Sequence, residues 1–144
     1  MQAIQILMVE DNPGDVFLTS EAFKSAKVSN ELHVARDGIE AMDFLKRRGK
    51  FGSAPRPDMV LLDLNLPGRD GRQVLSEIRA DPELTDLPVV VLTSSKAEVD
   101  VVKAYQLHAN CYIVKPVDFE SLMQIVASIE SFWLTVVRLP GHVD

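Results

Sequence analysis

The chain has 144 residues, 47% hydrophobic and 25% charged, the make-up of one soluble globular domain able to bury a core. Its net charge of −6 argues against a nucleic-acid surface, and the single cysteine, Cys111, excludes an internal disulfide or a cysteine metal cluster. No apolar run reaches the roughly 18 residues that span a bilayer, and no basic segment precedes the N-terminal run, so no membrane partner or signal peptide is expected and the cytoplasm is the expected location.

Residues 4–9 read as a strand, and a helix is predicted near 15–27, with Val16, Phe17, Ala22 and Phe23 at helical spacing. Asn12-Pro13-Gly14 is turn chemistry, and Asp15 is read as the helix cap. A short strand near 31–35 leads through Asp37-Gly38 to a helix near 39–48 with Ile39, Met42 and Leu45 on one face. The cluster Lys46-Arg47-Arg48 with Lys50 reads as a solvated helix end whose cations suit the dipole. His33 and His108 have no second ligand at useful spacing and read as surface or cap histidines.

Gly49–Pro57 is a basic loop. Residues 58–63 are nearly all apolar, as in a strand covered on both faces. A helix near 71–80 stops before Asp81-Pro82, and a strand at 88–93, a helix at 97–107 and a strand at 111–114 follow. The last helix starts near Asp118. Carried to Arg138 it would be roughly 30 Å long, with more apolar surface than a stripe of about 100° can bury.

Five alternating strand–helix units predict an α/β fold with a parallel sheet covered on both faces. Of the doubly wound orders, five strands favour the flavodoxin-like 2-1-3-4-5, whose switch point lies between the first and third strands. Four strands run into reactive residues: Glu10-Asp11, Asp63, Thr93 and Lys115-Pro116. Side chains beyond the carboxyl ends of parallel strands converge on one crevice, so these residues are expected to meet.

The loop after the first strand carries Glu10-Asp11-Asn12, which repels an anion and rules out a flavin or dinucleotide phosphate cradle. A carboxylate cluster needs a cation, and hard oxygen donors suit Mg²⁺. Asp63 is the candidate nucleophile for a phosphoryl group, with Lys115 and Thr93 placed to hold its oxygens.

Val9-Glu10-Asp11-Asn12, Leu61-Leu62-Asp63-Leu64-Asn65-Leu66-Pro67-Gly68 with Asp70-Gly71, Leu92-Thr93-Ser94-Ser95 and Val114-Lys115-Pro116 together resemble the receiver domain of two-component response regulators, from residue 4 to about 130. The resemblance implies that Asp63 accepts phosphate from a histidine kinase. It implies that Glu10, Asp11, Asp63 and the Asn65 backbone carbonyl hold Mg²⁺. Thr93 and Lys115 would bind the phosphoryl group, Thr93 and Tyr112 would form the switch, and the bond to Pro116 would be cis. Ser95 and Asn65 would stand beside the phosphoryl group, and a long-lived acyl phosphate is expected. The chain would be no enzyme in the ordinary sense, an aspartate-nucleophile phosphatase being disfavoured because Asn65 stands where that family needs an acid.

The sequence reads as one receiver unit over 1–144, with 131–144 a helical extension and tail. A homodimer through the fourth helix, fifth strand and fifth helix is expected, with Phe132, Trp133 and Val136 in the interface. The Asn12-Pro13-Gly14-Asp15-Val16 start, the Gly49–Pro57 loop and Phe132-Trp133-Leu134 resemble the small stand-alone regulators that partner phytochrome-type kinases. The expected role is a signalling receiver acting through protein contacts, or a phosphorelay intermediate.

Overall fold

A computed structural model describes residues 3–66, 70–94, 96–104, 109–115 and 118–132. Five strands, β1 (Ile4–Val9), β2 (Asn30–Ala35), β3 (Met59–Asp63), β4 (Val89–Thr93) and β5 (Cys111–Val114), form one parallel sheet in the order β2-β1-β3-β4-β5. Between and after them come α1 (Pro13–Lys24), α2 (Gly38–Leu45), α3 (Gly71–Ala80), α4 (Lys96–Ala104) and α5 (Phe119–Phe132).

Strand side chains alternate between two apolar layers, as the two-residue period of a pleated strand requires. Ile4, Ile6 and Met8 of β1, Met59 and Leu61 of β3, and Val90 and Leu92 of β4 pack on Ala22 and Phe23 of α1 and on Leu122 and Val126 of α5. Leu7 and Val9, Val60 and Leu62, and Val89 and Val91 pack on the other side, against α2, α3 and Val102 of α4. Both faces of the central strands are therefore dry, which is why those runs carry almost no polar residue.

Asn12, not Asp15, caps α1: its side chain accepts from the N–H groups of Gly14 and Asp15, and Pro13 opens the helix with its fixed φ. Phe17 stays 63% exposed because the buried stripe runs through Thr19, Ala22 and Phe23, on the opposite side of the helix. Ile39 is likewise 56% exposed, since the buried stripe of α2 is set by Gly38, Ala41, Met42 and Leu45. Asp37 caps α2, and Asp70 caps α3 in a capping box with Gln73.

The basic cluster is engaged rather than freely solvated. Lys46 pairs with Asp81 at 3.3 Å, Arg48 with Asp43 at 3.3 Å, and Arg47 Nε donates to the Ala54 carbonyl at 2.9 Å. Arg47 has φ 54°, and the N–H groups of Arg47 and Arg48 donate to the carbonyls of Phe44 and Asp43. That is a Schellman ending with an arginine where glycine is usual. A 3-10 turn at Gly49–Phe51 follows in the loop.

His33 is half-buried rather than a surface residue. Its Nε2 is 2.7 Å from Gln5 Oε1, and its ring lies 5.3 Å from that of Phe44. At the far end of the molecule, Glu130 of α5 accepts hydrogen bonds from the Lys27 and Val28 N–H groups in the turn between α1 and β2. No helix among the described residues is long and apolar enough to cross a membrane.

Candidate functional site

The sheet register sets the site. Val9 pairs with Leu62, Asp63 with Leu92, and Thr93 with Val114, so the four strands end almost level. Glu10, Asp63, Thr93 and Lys115 are thereby delivered to one edge. Glu10 and Thr93 are fully buried and Asp63 is 3% exposed, whereas Asp11 lies in solvent.

Lys115 is the centre of the arrangement. Its ammonium donates to Glu10 Oε1 at 2.6 Å, Asp15 Oδ2 at 2.9 Å and Asp63 Oδ2 at 3.1 Å. An ammonium has three N–H bonds, and here each has a carboxylate. The Lys115 backbone is fixed too, its N–H donating to the Thr93 carbonyl at 2.6 Å.

The two oxygens of Asp63 are divided between partners. Oδ2 faces Lys115, and Oδ1 accepts the Asn65 N–H at 2.8 Å. The Asn65 side chain in turn donates to Ser94 Oγ at 2.8 Å. The structure thus brings Ser94 to Asn65, while Ser95 lies outside the described residues.

Burial first, and then the hydrogen bond and charge of Asp63, push Glu10 up to about 7 against the pull of Lys115. Lys115 loses hydration on burial, but bonds to Glu10, Asp15 and Asp63 outweigh that and hold it well above the ordinary lysine value. Three carboxylates share one ammonium, so the lysine keeps its proton, while burial beside Asp63 favours the protonated form of Glu10.

Glu10, Asp11 and Asp63 each offer a carboxylate oxygen, all within 4.8 Å of one another. Three hard anionic donors, one of them open to water, suit a divalent cation that retains part of its hydration. The excess negative charge of the cluster gives such a cation a further reason to bind.

Tyr112 is half-buried between Lys103, whose ammonium lies 5.2 Å from its ring centroid, and Ala109, whose N–H donates to its hydroxyl at 3.2 Å. The hydroxyl thus has a partner in the segment before β5. Pro116, Trp133, Val136 and His108 lie outside the described residues, as does the side chain of Phe132. Asp15 is the residue the sequence misplaced. Its spacing from the strand looks like a cap, and only the proximity of α1 to the end of β5 reveals the pairing with Lys115.

A sequence model described as the response regulator receiver domain matches residues 6–127. Response regulator Rcp1 of Synechocystis sp. is 49% identical over 136 residues, 94% of this chain and 92% of Rcp1. Among solved structures, the phosphorylated cyanobacterial phytochrome response regulator RcpA superposes with a TM-score of 0.83 at 48% identity, covering 96% of this chain and 99% of RcpA. The Mn²⁺-bound form of Rcp1 superposes with a TM-score of 0.81 at 48% identity, covering 95% and 99%. With its sheet order, its carboxylate edge and these likenesses taken together, the chain belongs to the response regulator receiver domain family.

Proposed function

We propose that Asp63 accepts a phosphoryl group from a sensor histidine kinase of phytochrome type, and that the chain signals through protein contacts rather than by turning over a substrate. The observation that carries this reading is the buried Asp63 carboxylate held between the Asn65 N–H and the Lys115 ammonium, beside Glu10 and Asp11. The likeness to Rcp1, a response regulator, and to RcpA, a phytochrome response regulator, supports the choice of kinase.

In the transfer, an Asp63 oxygen forms a bond to phosphorus as the bond from phosphorus to the kinase histidine nitrogen breaks. The leaving imidazole keeps the electron pair and takes up a proton. Lys115 neutralises charge on the phosphoryl oxygens, and Thr93, buried at the end of β4, is the hydroxyl ligand. Glu10, Asp11, Asp63 and the Asn65 carbonyl would hold Mg²⁺, which when bound supplies positive charge against the acids and the phosphoryl group.

The remaining assignments extend this reading. Residues 1–144 act as one cytoplasmic receiver unit, with 131–144 an extension of α5, and Thr93 and Tyr112 relay the state of the site. Copies pair through α4, β5 and α5, with Phe132, Trp133 and Val136 in the contact. Half-exposed Val114 and Phe119, at 46% and 43%, leave apolar surface on β5 and α5 consistent with that pairing.

Incubation with acetyl phosphate and Mg²⁺, followed by intact-mass measurement, tests the core of the reading. One phosphoryl adduct is expected, lost in Asp63→Asn and with chelator. An adduct that persists in Asp63→Asn overturns the assignment. Transfer from a phosphorylated phytochrome-type kinase tests the partner, and sedimentation of Trp133→Glu against wild type tests the dimer.

A further inference from the structure

We infer that Asp15 is a positioning residue that tethers the Lys115 ammonium at the site while its other two carboxylate partners are drawn to a cation. The inference rests on the reading of Asp63 as phosphoacceptor. Of the three carboxylates on Lys115, Glu10 and Asp63 belong to the trio that would hold a cation, and Asp15 does not. Once a cation claims the trio, Asp15 is the partner left to fix the lysine. The N–H groups released from Glu10 and Asp63 then face the place where a phosphoryl oxygen arrives.

The local structure shows that Asp15 is set aside for this. It stands at the third helical position of α1, where an acid ordinarily reaches back to the N–H of the capping residue. Here the Asn12 N–H donates instead to Glu10 Oε2 at 3.2 Å. Asp15 is thereby released from its usual local bond and reaches across a hundred residues to Lys115. Its backbone is held by Asn12 Oδ1, which accepts its N–H at 3.1 Å, and by Thr19 Oγ1, which donates to its carbonyl at 2.8 Å.

The pair sits over an apolar floor. A cavity of about 10 Å³, room for one water at most, is lined by Met8, Leu18, Thr19, Leu92 and Leu122 together with Asp15 and Lys115. Little water can screen the two charges from that side, so the tether is stronger than a surface pair. Asp15 also lies in the first turn of α1, where the helix dipole favours its charge.

The test is a double-mutant cycle with two readouts. At saturating Mg²⁺ and acetyl phosphate, Asp15→Asn is expected to slow acyl phosphate formation about tenfold, the loss of one charge-assisted bond. Mg²⁺ affinity measured by titration calorimetry should fall by less than that, because Asp15 offers no oxygen to the trio. In a Lys115→Ala background the same substitution should change the rate no further.

An unchanged rate in Asp15→Asn, or an equal slowing in the Lys115→Ala background, overturns the tether. The second readout is unfolding of the four proteins in urea with Mg²⁺ present, which needs no phosphorylation. Stability losses that add without coupling also overturn it. A wild type that forms no adduct sinks the phosphoacceptor reading instead, and the unfolding cycle then still decides whether Asp15 and Lys115 are coupled.

Discussion

Gly71 is pressed against the backbone of Asp63: a Cβ added there would stand 2.4 Å from the Asp63 carbonyl oxygen and 2.6 Å from the Leu64 Cα. The start of α3 thus rests directly on the strand end that presents the candidate phosphoacceptor. Backbone atoms cannot swing aside as a side chain can, so Gly71→Ala is expected to cost about 3 kcal/mol and to slow adduct formation on Asp63. Gly52→Ala is the control. Its nearest new contact is at 3.7 Å and its φ is −56°, so stability should rise by up to about 1 kcal/mol. Urea unfolding with intact-mass kinetics checks both, and equal effects at the two glycines would refute the close approach.

Replacing Lys115 by Met removes the cation that three carboxylates share. A buried pair broken from one side costs about 3 to 5 kcal/mol, and the lower end applies because the Lys115 side chain is 18% exposed. Mg²⁺ should recover much of that loss, since another cation then answers Glu10 and Asp63. Denaturation curves with chelator and with Mg²⁺ measure the difference; parallel losses in both would show that the lysine stabilises the fold by packing alone.

Asp70 gives the fold an acid-sensitive element. Burial raises its carboxyl, but hydrogen bonds from the Arg72 side chain and N–H and the adjacent guanidinium outweigh this and lower it. A carboxyl depressed in the folded state stabilises above the unfolded value, near 3.9, and that contribution fades as pH falls through the folded value. Asp70→Asn keeps a capping oxygen, so it should change stability at pH 7 by under about 1 kcal/mol while flattening the loss between pH 4 and pH 2. Thermal melts across that range check the slope, and an unchanged acid limb would exclude Asp70 as a contributor.

Arg47 occupies the left-handed position that ends α2, with φ 54°. A side chain there is strained, and its exposed bond to the Ala54 carbonyl offsets only part of the cost. Arg47→Gly is expected to raise stability by about 0.5 to 1 kcal/mol, whereas Arg47→Ala should bring no gain. A lower melting temperature for the glycine variant would show that the loop bond outweighs the strain.

Some of this was legible in the residues and some was not, for physical reasons. The sheet order and the meeting of Glu10, Asp11, Asp63 and Lys115 follow from apolar runs that end in polar residues, because parallel strands leave no other place for those residues to go. Phe17 and Ile39 read as core because hydrophobicity marks a stripe only when neighbouring turns agree; Ile39 lies about 100° off its helix's buried face and Phe17 on the side opposite its own. Asp15 escaped because a carboxylate after a turn looks the same whether it caps a helix or crosses to a distant lysine. His33 escaped because its partners, Gln5 and Phe44, come from two other elements.

The Glu130 carboxylate accepts from the Lys27 and Val28 N–H groups in the turn between α1 and β2, so the last helix and that turn share one acceptor although they lie about a hundred residues apart. An amide in place of that carboxylate would accept less strongly, and the two segments would then loosen together rather than one at a time.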